Sequence, residues 1–326
     1  MAPGLVAYII RRLAVVPIVL FIVSFATFAL GRFAPSDYVQ MQAGSRANPE
    51  TIDRIRDERG LNDPVYEQYG RYVWHALQGD FGTSVKPRGV PVSDVIFPRL
   101  WVTVQINLLA LVFSWLIGIP LGTLAALKRG TWLDPFTIGM FLLFASVPVL
   151  VSVPLMQWFF VLKLNLLPSG GWSDASFFGV DLGIFSARAV LPVLVLTLAS
   201  VASLARYMRA QVLEVLDQDF VRTAQAKGLR GDVVVVRHVL RNAMLPIVTI
   251  FGFELAGLIA GSIFVETLLG IPGMGLLFYE SVNSRNYDVM MAIVLLGTTI
   301  FVFAMLVVDI AYGFIDPRVR LGGVAG

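Results

Sequence analysis

From Asp217 to Pro246 the chain reads DQDFVRTAQAKGLRGDVVVVRHVLRNAMLP, a basic segment of helical pattern set between two apolar runs. The run before it, Ala189–Ala205, has no formal charge, and the run after it, Asn242–Val265, carries only Glu254. Each approaches or exceeds the roughly 20 apolar residues that a bilayer crossing needs. Within the segment, Leu216, Phe220 and Ala224 followed by Gly228 read as an amphipathic helix with a glycine stop. Asp232 then suits the N-cap of a second helix through Val239 and Leu240. The β-branched run Val233–Val236 would suit a strand equally well, but a lone strand at a membrane face would leave its edges unpaired, so a helix is expected. Two short helices would thus meet at Ala224-x-Ala226-x-Gly228, where small residues let another protein's surface reach the backbone. Arg222, Lys227, Arg230, Arg237 and Arg241 surround that point. The same pattern also fits a basic hairpin lying on anionic lipid.

Composition supports a membrane protein. Of the 326 residues, 57% are hydrophobic and 14% charged, and the mean hydropathy is +0.77, outside the range of soluble globular chains. With no cysteine, disulfides and cysteine-ligated metal sites are excluded. The net charge of +3 follows from arginines placed beside membrane spans, and no basic stripe on a soluble face points to nucleic acid. Arg11 and Arg12 precede Leu13–Gly31, an uncharged run too long for a signal-peptide core and with no A-x-A cleavage pattern after it. It reads as the first span.

Six spans are expected: Leu13–Gly31, Leu100–Leu127, Pro135–Leu162, Ala189–Ala205, Asn242–Val265 and Val289–Val308, the fourth continuing as helix past Arg206 and Arg209. Lys/Arg placement orients them. With the N-terminus inside, the inner segments hold Arg11, Arg12, Lys128, Arg129, seven cations from Arg206 to Arg241, Arg318 and Arg320, while the short outer loops hold Lys163, Arg188 and Arg285. Both termini are therefore expected in the cytosol. The resulting division is 1–31, tail and first span; 32–99, an extracytoplasmic segment; 100–316, a core of five spans with a cytosolic loop at 210–243; and 317–326, a cytosolic tail. In the outer segment, the run Pro49–Gly60, with a helix entry, acidic first-turn residues and a terminating glycine, and Pro64–Leu77, ending at Gly79, read as two helices. Neither a low-complexity tract nor a clear internal repeat is present.

Pro148 and Pro154 should bend the third span. Gly257 and Gly261 form a GxxxG pair in the fifth, a pattern that lets another backbone approach closely. Plain helix packing and a path that opens and closes are both compatible with these features. Glu254 is the only carboxylate in the middle third of a span, so it should face protein or water, either as a cavity group for a cation or as a hydrogen-bonded packing residue. Asp309, Asp316 and Arg318 suggest ion pairing at the inner boundary. An intramembrane hydrolase would need a nucleophile and base within reach of each other, but the two histidines, His75 and His238, fall outside the spans. A secondary transporter has thin support in one intramembrane acid and no inverted repeat, and would not need the docking hairpin.

Ordered pieces over nearly the whole chain carry a family resemblance. They are RGLNDPVYEQYGRYVWHALQGDFGTSV (59–85), GIPLGTLAALKRGTWLDPF (118–136), ASVPVLVSVPL (145–155), DFVRTAQAKGL (219–229), RHVLRNAMLP (237–246), VETLLGIPGMGLL (265–277) and DIAYGFIDPRVRL (309–321). In this order they resemble the membrane permeases of binding-protein-dependent ATP-driven (ABC) importers, specifically the first of two permeases of the dipeptide/oligopeptide/nickel group. The broad coupling signature of such permeases has Glu-Ala-Ala before the glycine; here Arg222 and Thr223 replace its first two residues and only Ala224 matches. Arg241 stands where a proline is expected, and Leu245-Pro246 comes later, a spacing the peptide group shares. The Glu254 position is often an amide or neutral residue in relatives.

The resemblance implies an all-α integral membrane protein of the type I importer permease fold in a bacterial or archaeal cytoplasmic membrane. It implies a heterodimer with a second permease, two ATP-binding ABC subunits, an extracytoplasmic solute-binding protein, peptide as substrate, membrane lipid around the spans and no nucleic acid. Asp219, Arg222, Ala224, Ala226, Lys227, Gly228, Arg237 and His238 would couple to the ATPase. Glu254, Gly257, Gly261, Glu266, Pro272 and Gly273 would line the path or its gate, an ordinary re-entrant turn being the alternative for the last three. Nickel chelates, glutathione and oligosaccharides are further cargoes of such permeases. The chain itself is no enzyme and holds no cofactor: a P-loop needs a lysine preceded by glycine, and none of Lys86, Lys128, Lys163 or Lys227 is. ATP and magnesium would sit on partner subunits.

Overall fold

A computed structural model describes residues 3–32, 48–58, 60, 62–173, 176–177, 180–259 and 261–315. The helices are α1 Pro3–Arg32, α2 Pro49–Glu58, α3 Val65–Leu77, α4 Val92–Leu127, α5 Leu133–Ser146 and α6 Val149–Met156, which runs on as a π-helical stretch Gln157–Lys163. After a hairpin of two-residue strands, β1 Ser176–Phe177 and β2 Val180–Asp181, come α7 Ala187–Leu216 and α8 Asp219–Ala226. Next, α9 Gly231–Val233, a π-helical stretch Val234–Leu240 and α10 Arg241–Gly257 follow one another directly. The last helices are α11 Ile263–Leu269, α12 Met274–Asn283 and α13 Tyr287–Ile315.

Among the described residues, five helices are long and apolar enough to cross a membrane: Ile10–Arg32, Val92–Leu127, Ala187–Leu216, Gly231–Leu255 and Tyr287–Val308. Two bent pairs bring the number to seven if each is one span. The expected third span is one of them, with Asp134–Phe144 and Val149–Lys163 meeting at 98°. Pro148 explains the corner. It sits extended at the N-cap of α6 and disfavours helical backbone at the residue before it, Val147, which is also extended. The expected fifth span is displaced: helix begins at Gly231 and ends at Gly257, and the break that follows is absent from the Asn242–Val265 reading. The fourth does continue beyond Arg206 and Arg209, to Leu216. Arg318, Asp316 and the side chain of Asp309 lie outside the described residues.

The chain divides into two compact units, Met1–Val102 with Gly273–Gly326, and Thr103–Pro272. In the first, α1 packs along α13 and α3 packs on α1. Val92, Val95 and Ile96 at the start of α4 bury against Met274 and Leu277 of α12 and Val289 and Ala292 of α13. The buried Asn286 carboxamide ties this core to the preceding loop, donating to Ser84 Oγ (2.8 Å) and accepting from the Val85 amide (3.2 Å). Both outer helices fall within the expected runs, α2 over Pro49–Glu58 and α3 over Val65–Leu77 with Pro64 as its N-cap, and Gly60 and Gly79 behind them are at positive φ. The Tyr72 hydroxyl on α3 is enclosed with no hydrogen-bond partner among the described residues; its burial, then the Asp288 carboxylate nearby, hold the phenol above its ordinary range.

In the second unit α7 is the axis. Its Leu204 and Met208 receive the small-residue face of α4: a Cβ on Gly122 would lie 2.3 Å from the Ala205 carbonyl oxygen, and one on Gly118 would lie 3.1 Å from Leu204. Gly118-Ile-Pro-Leu-Gly122 is thus a GxxxG contact, whereas a Cβ on Gly257 would meet nothing within 4 Å. Lipid supplies no hydrophobic drive for helix association, so close packing of this kind matters most. Gly122→Val is expected to force α4 and α7 apart and destabilise the protein by about 1–3 kcal/mol, while Gly257→Ala leaves it within about 0.5 kcal/mol. Thermal unfolding of the detergent-solubilised variants checks the contrast.

Candidate functional site: the polar elbow

The segment read as a hairpin is an elbow built on two long rods. Val221 and Ala224 of α8, Val234 and Val239 of the following helix, Ala243 and Ile247 of α10, and Leu204, Met208 and Val212 of α7 form one buried cluster that also holds Ala126 from α4. Val212, Val221, Val239, Ala243 and Ile247 are wholly enclosed. Burying a valine or isoleucine side chain this way is worth about 1.5–3 kcal/mol where the alternative is water. The elbow is therefore a rigid outgrowth of the rods.

The second short helix does not exist as a separate piece. Helix runs from Gly231 through the π-helical stretch into α10, so Val233–Val236 are helical as expected but belong to the rod. Asp232 is not the N-cap either. Arg230 holds that position, and its guanidinium donates Nε to Asp232 Oδ1 (3.2 Å) and Nη2 to Oδ2 (3.1 Å). The glycine stop stands as read: Gly228 has φ +76°, its N–H bonds the Gln225 carbonyl (2.9 Å), and the Leu229 N–H reaches the Ala224 carbonyl (3.4 Å). This paired closure satisfies the last carbonyls of α8.

Because α8 turns Val221 and Ala224 inward, the other candidates face out. Asp219, Arg222, Ala226, Lys227, Gly228 and Arg237 are exposed, and His238 is half-buried, its carbonyl accepting from Asn242 Nδ2 (2.7 Å). Ala224 is the correction: its side chain seats α8 on the rod and is closed to a partner. The Asp219–Arg222 pair, 3.6 Å apart and with side chains 98% and 69% exposed, contributes at most about 0.5 kcal/mol. Phe220, Leu229 and Val236 are also exposed among these cations. The outer surface thus carries exposed cations with exposed apolar side chains among them.

The candidates for the path gather around the break after α10. The carboxylate of Glu254 accepts the indole N–H of Trp115 (2.6 Å), and that ring lies edge-on to Phe251 at 4.7 Å. Gly257 ends α10, and Gly261, at φ +69°, makes the turn into α11. Glu266 is buried in the first turn of α11, accepting from Thr103 Oγ1 (3.0 Å) and from the Ser262 N–H (3.4 Å). Asn107 Nδ2 donates to the Leu258 carbonyl (2.7 Å), one of the oxygens a helix end leaves unsatisfied. Side chains of α4 thus hold both sides of the break. Pro272 closes one unit and Gly273 is the N-cap of α12.

Reading the sequence by charge missed Asn107, Thr103 and Trp115, which lie in a formally uncharged run. It also missed the ion pair of Arg209 on α7 with Asp134 at the start of α5, with Nη2 and Nε 2.7 and 3.0 Å from Oδ1 and both side chains largely buried. A carboxylate just after the Lys128–Arg129 loop was the available signal for that pair.

Comparison with known proteins agrees with this architecture. Residues 118–321 match the family model described as the inner membrane component of binding-protein-dependent transport systems, and residues 5–106 match the N-terminal model of such components. The dipeptide transport system permease protein DppB of Escherichia coli K12 is 35% identical over 334 residues, covering 96% of this chain and 98% of its own. The oligopeptide permease OppB of Haemophilus influenzae is 35% identical over 314 residues (96% and 99%), and the glutathione permease GsiC of E. coli K12 is 36% identical over 313 (96% and 98%). The MetNI methionine ABC transporter structure has a chain that shares the fold, with TM-score 0.51 at 18% identity over 69% of this chain and 96% of that one. The chain therefore belongs to the inner-membrane permease components of binding-protein-dependent ABC importers.

Proposed function

We propose that this permease imports di- and oligopeptides, and that the elbow is where a separate ATPase subunit drives it. The observation that carries the reading is the division of the elbow into a buried apolar face fused to α7 and α10 and an exposed basic face around Ala226–Gly228. A ligand of that face moves both rods together, because they share one core.

In this reading six spans cross the membrane, namely the five long helices and the bent pair Asp134–Lys163. α11, at seven residues, is about 10 Å long and cannot cross alone. Both termini and the elbow lie in the cytosol and residues 32–99 lie outside. A second permease completes the path, two ABC subunits bind one to each elbow, and a solute-binding protein delivers cargo. Closure of the ATPase dimer draws the two elbows together and tilts the rods, exchanging which side the cavity faces. Alternating access requires only that ATP and loaded binding protein favour the same outward-facing state.

The named relatives support cargo of the peptide class, in which glutathione, a modified tripeptide, is a second reading favoured equally by the 36% identity to GsiC. Transport by the assembled importer in proteoliposomes tests both. ATP-dependent uptake of dipeptides and tripeptides is expected; uptake without nucleotide, or of nickel chelate or oligosaccharide alone, would contradict the reading.

Glu254 is assigned to the cavity wall, where the Trp115 indole orients its carboxylate. Glu254→Gln keeps an acceptor for that N–H and removes the charge. Uptake of lysine-containing dipeptides is expected to fall several-fold relative to aspartate-containing ones, an effect on the order of 1 kcal/mol. Equal effects on both would remove Glu254 from the cavity.

A further inference from the structure

Near the start of α4, wholly within the first unit, lies an open cavity of about 540 Å³, a size that suits a small ligand. Its floor is apolar and fixed. Val95 of α4 and Leu277 of α12 belong to the buried core of that unit, and Ser281, also in the lining, is buried as well. Three charged side chains line the cavity: Lys86 from the loop before α4, Arg99 from α4 and Glu280 from α12. Lys86 and Glu280 are exposed, and Arg99 is half-buried. Thr103 and Asn107 follow Arg99 at four-residue spacing, so Arg99 heads the polar stripe of this helix.

The walls are held in place by the protein itself. Asn286 grips the Lys86 loop through Ser84 and Val85, and the Lys86 N–H donates to Ser84 Oγ (3.2 Å). The Ser84 N–H then reaches the Val90 carbonyl (2.8 Å) and the Gly89 N–H the Ser84 carbonyl (3.0 Å), which closes the loop. Among the described residues the Lys86 ammonium has no partner. Arg99 engages Nη1 alone, donating to Glu280 Oε2 at 3.2 Å, so its Nε and Nη2 have no acceptor among the described residues. The cavity therefore holds two cations and one anion, each with bonding capacity left. Glu280 also stands in the last turn of α12, the end of a helix at which positive charge is favoured.

A lone acidic group in this cavity would be repelled by Glu280, and a lone cation would face two like charges. A molecule with a carboxylate at one end and an ammonium at the other suits all three side chains. We propose that the cavity is an outer subsite for a free short peptide, with Lys86 and Arg99 holding its carboxylate and Glu280, at the C-terminal end of α12, its ammonium group. The apolar floor of Val95 and Leu277 takes the side chains by burial, which has no directional demand. The subsite thus reads the two ends of a peptide and tolerates variety between them. This inference rests on the peptide-import reading and on residues 32–99 lying outside.

Isothermal titration of the assembled importer in lipid nanodiscs, without its solute-binding protein, compares alanyl-alanine with its C-terminal amide and its N-acetyl form. Each blocked peptide is expected to bind about fivefold more weakly than the free one, the scale of one exposed charge contact. Lys86→Gln should weaken binding of the free dipeptide by a similar factor and remove most of the penalty for the amide. Glu280→Gln should do the same for the N-acetyl form. Lys86→Gln that binds the free dipeptide at parental strength and still rejects the amide would overturn the subsite. So would Lys86→Gln that keeps dipeptide binding but loses capture of the loaded binding protein, since the cations would then serve an acidic side chain of that protein. Dipeptide uptake by the parent importer with its binding protein in proteoliposomes keeps the two readings apart. Uptake together with unchanged Lys86→Gln binding sinks the subsite alone, whereas no uptake sinks the peptide-import reading and the subsite with it.

Discussion

Arg209→Met is expected to destabilise the protein by about 3–5 kcal/mol, the usual cost of stranding one partner of a buried ion pair. The Arg209 guanidinium makes two contacts with Asp134 Oδ1, at 2.7 and 3.0 Å, and the side chains are only 20% and 13% exposed. Removing the cation leaves a desolvated carboxylate that accepts a long contact from the Gly130 N–H, at 3.5 Å. The double variant Asp134→Asn/Arg209→Met removes the stranded charge and should recover most of the loss. Thermal unfolding in detergent, run as a double-mutant cycle, measures this. A single variant as stable as the parent, or a double variant no better than Arg209→Met, would show that the pair does not brace α5 against α7.

The second large effect is functional. Gly228→Glu is expected to cut ATP-driven uptake to below about a tenth, a loss of at least 1.4 kcal/mol of productive coupling. The substitution adds a carboxylate beside Lys227 on the exposed side of the elbow. It also forces a side chain into backbone at φ +76°, a conformation that costs non-glycine residues about 1–2 kcal/mol. Gly228→Asn separates the two causes, because asparagine tolerates that backbone and adds no charge. A Cβ there meets nothing within 4 Å, so neither variant clashes inside the chain. Uptake should survive in Gly228→Asn and fail in Gly228→Glu, with both chains inserted at parental levels. Equal uptake by the two would remove charge from the docking account.

Local rules carried the sequence reading a long way. Pro49 and Gly60 bracket α2, Gly79 follows α3, and Gly228 stops α8, because proline and glycine act through the backbone of their own turn. The amphipathic character of α8 was likewise readable from its period. What stayed hidden depends on partners distant in sequence. Gly257-xxx-Gly261 and Gly118-xxx-Gly122 have the same spacing, yet a Cβ on Gly118 or Gly122 would meet α7 while one on Gly257 would meet nothing within 4 Å, and nothing in the spacing distinguishes them. Ala224 looked available to a partner because it is small, and it is buried for the same reason. Asp232 resembled a cap but stands one position inside its helix, where Arg230 claims the carboxylate. The long apolar runs concealed two corners: a count of charges cannot sense that Pro148 turns the chain, nor that the helix stops after Gly257, where Asn107 takes up the carbonyl of Leu258.

The most direct test of the claim that the elbow receives force from an ATPase is position-specific crosslinking in the assembled importer. The absence of cysteine lets a photoreactive label be placed singly at Arg222, Ala226 or Arg237 on the exposed face, and at Val221 on the enclosed one. Illumination should give adducts with the ATP-binding subunit from the first three positions and none from Val221, and nucleotide should change the yield at Ala226. Labels at 222, 226 and 237 that join only lipid, in a complex that still transports, would contradict the account and leave the elbow as a membrane-surface anchor.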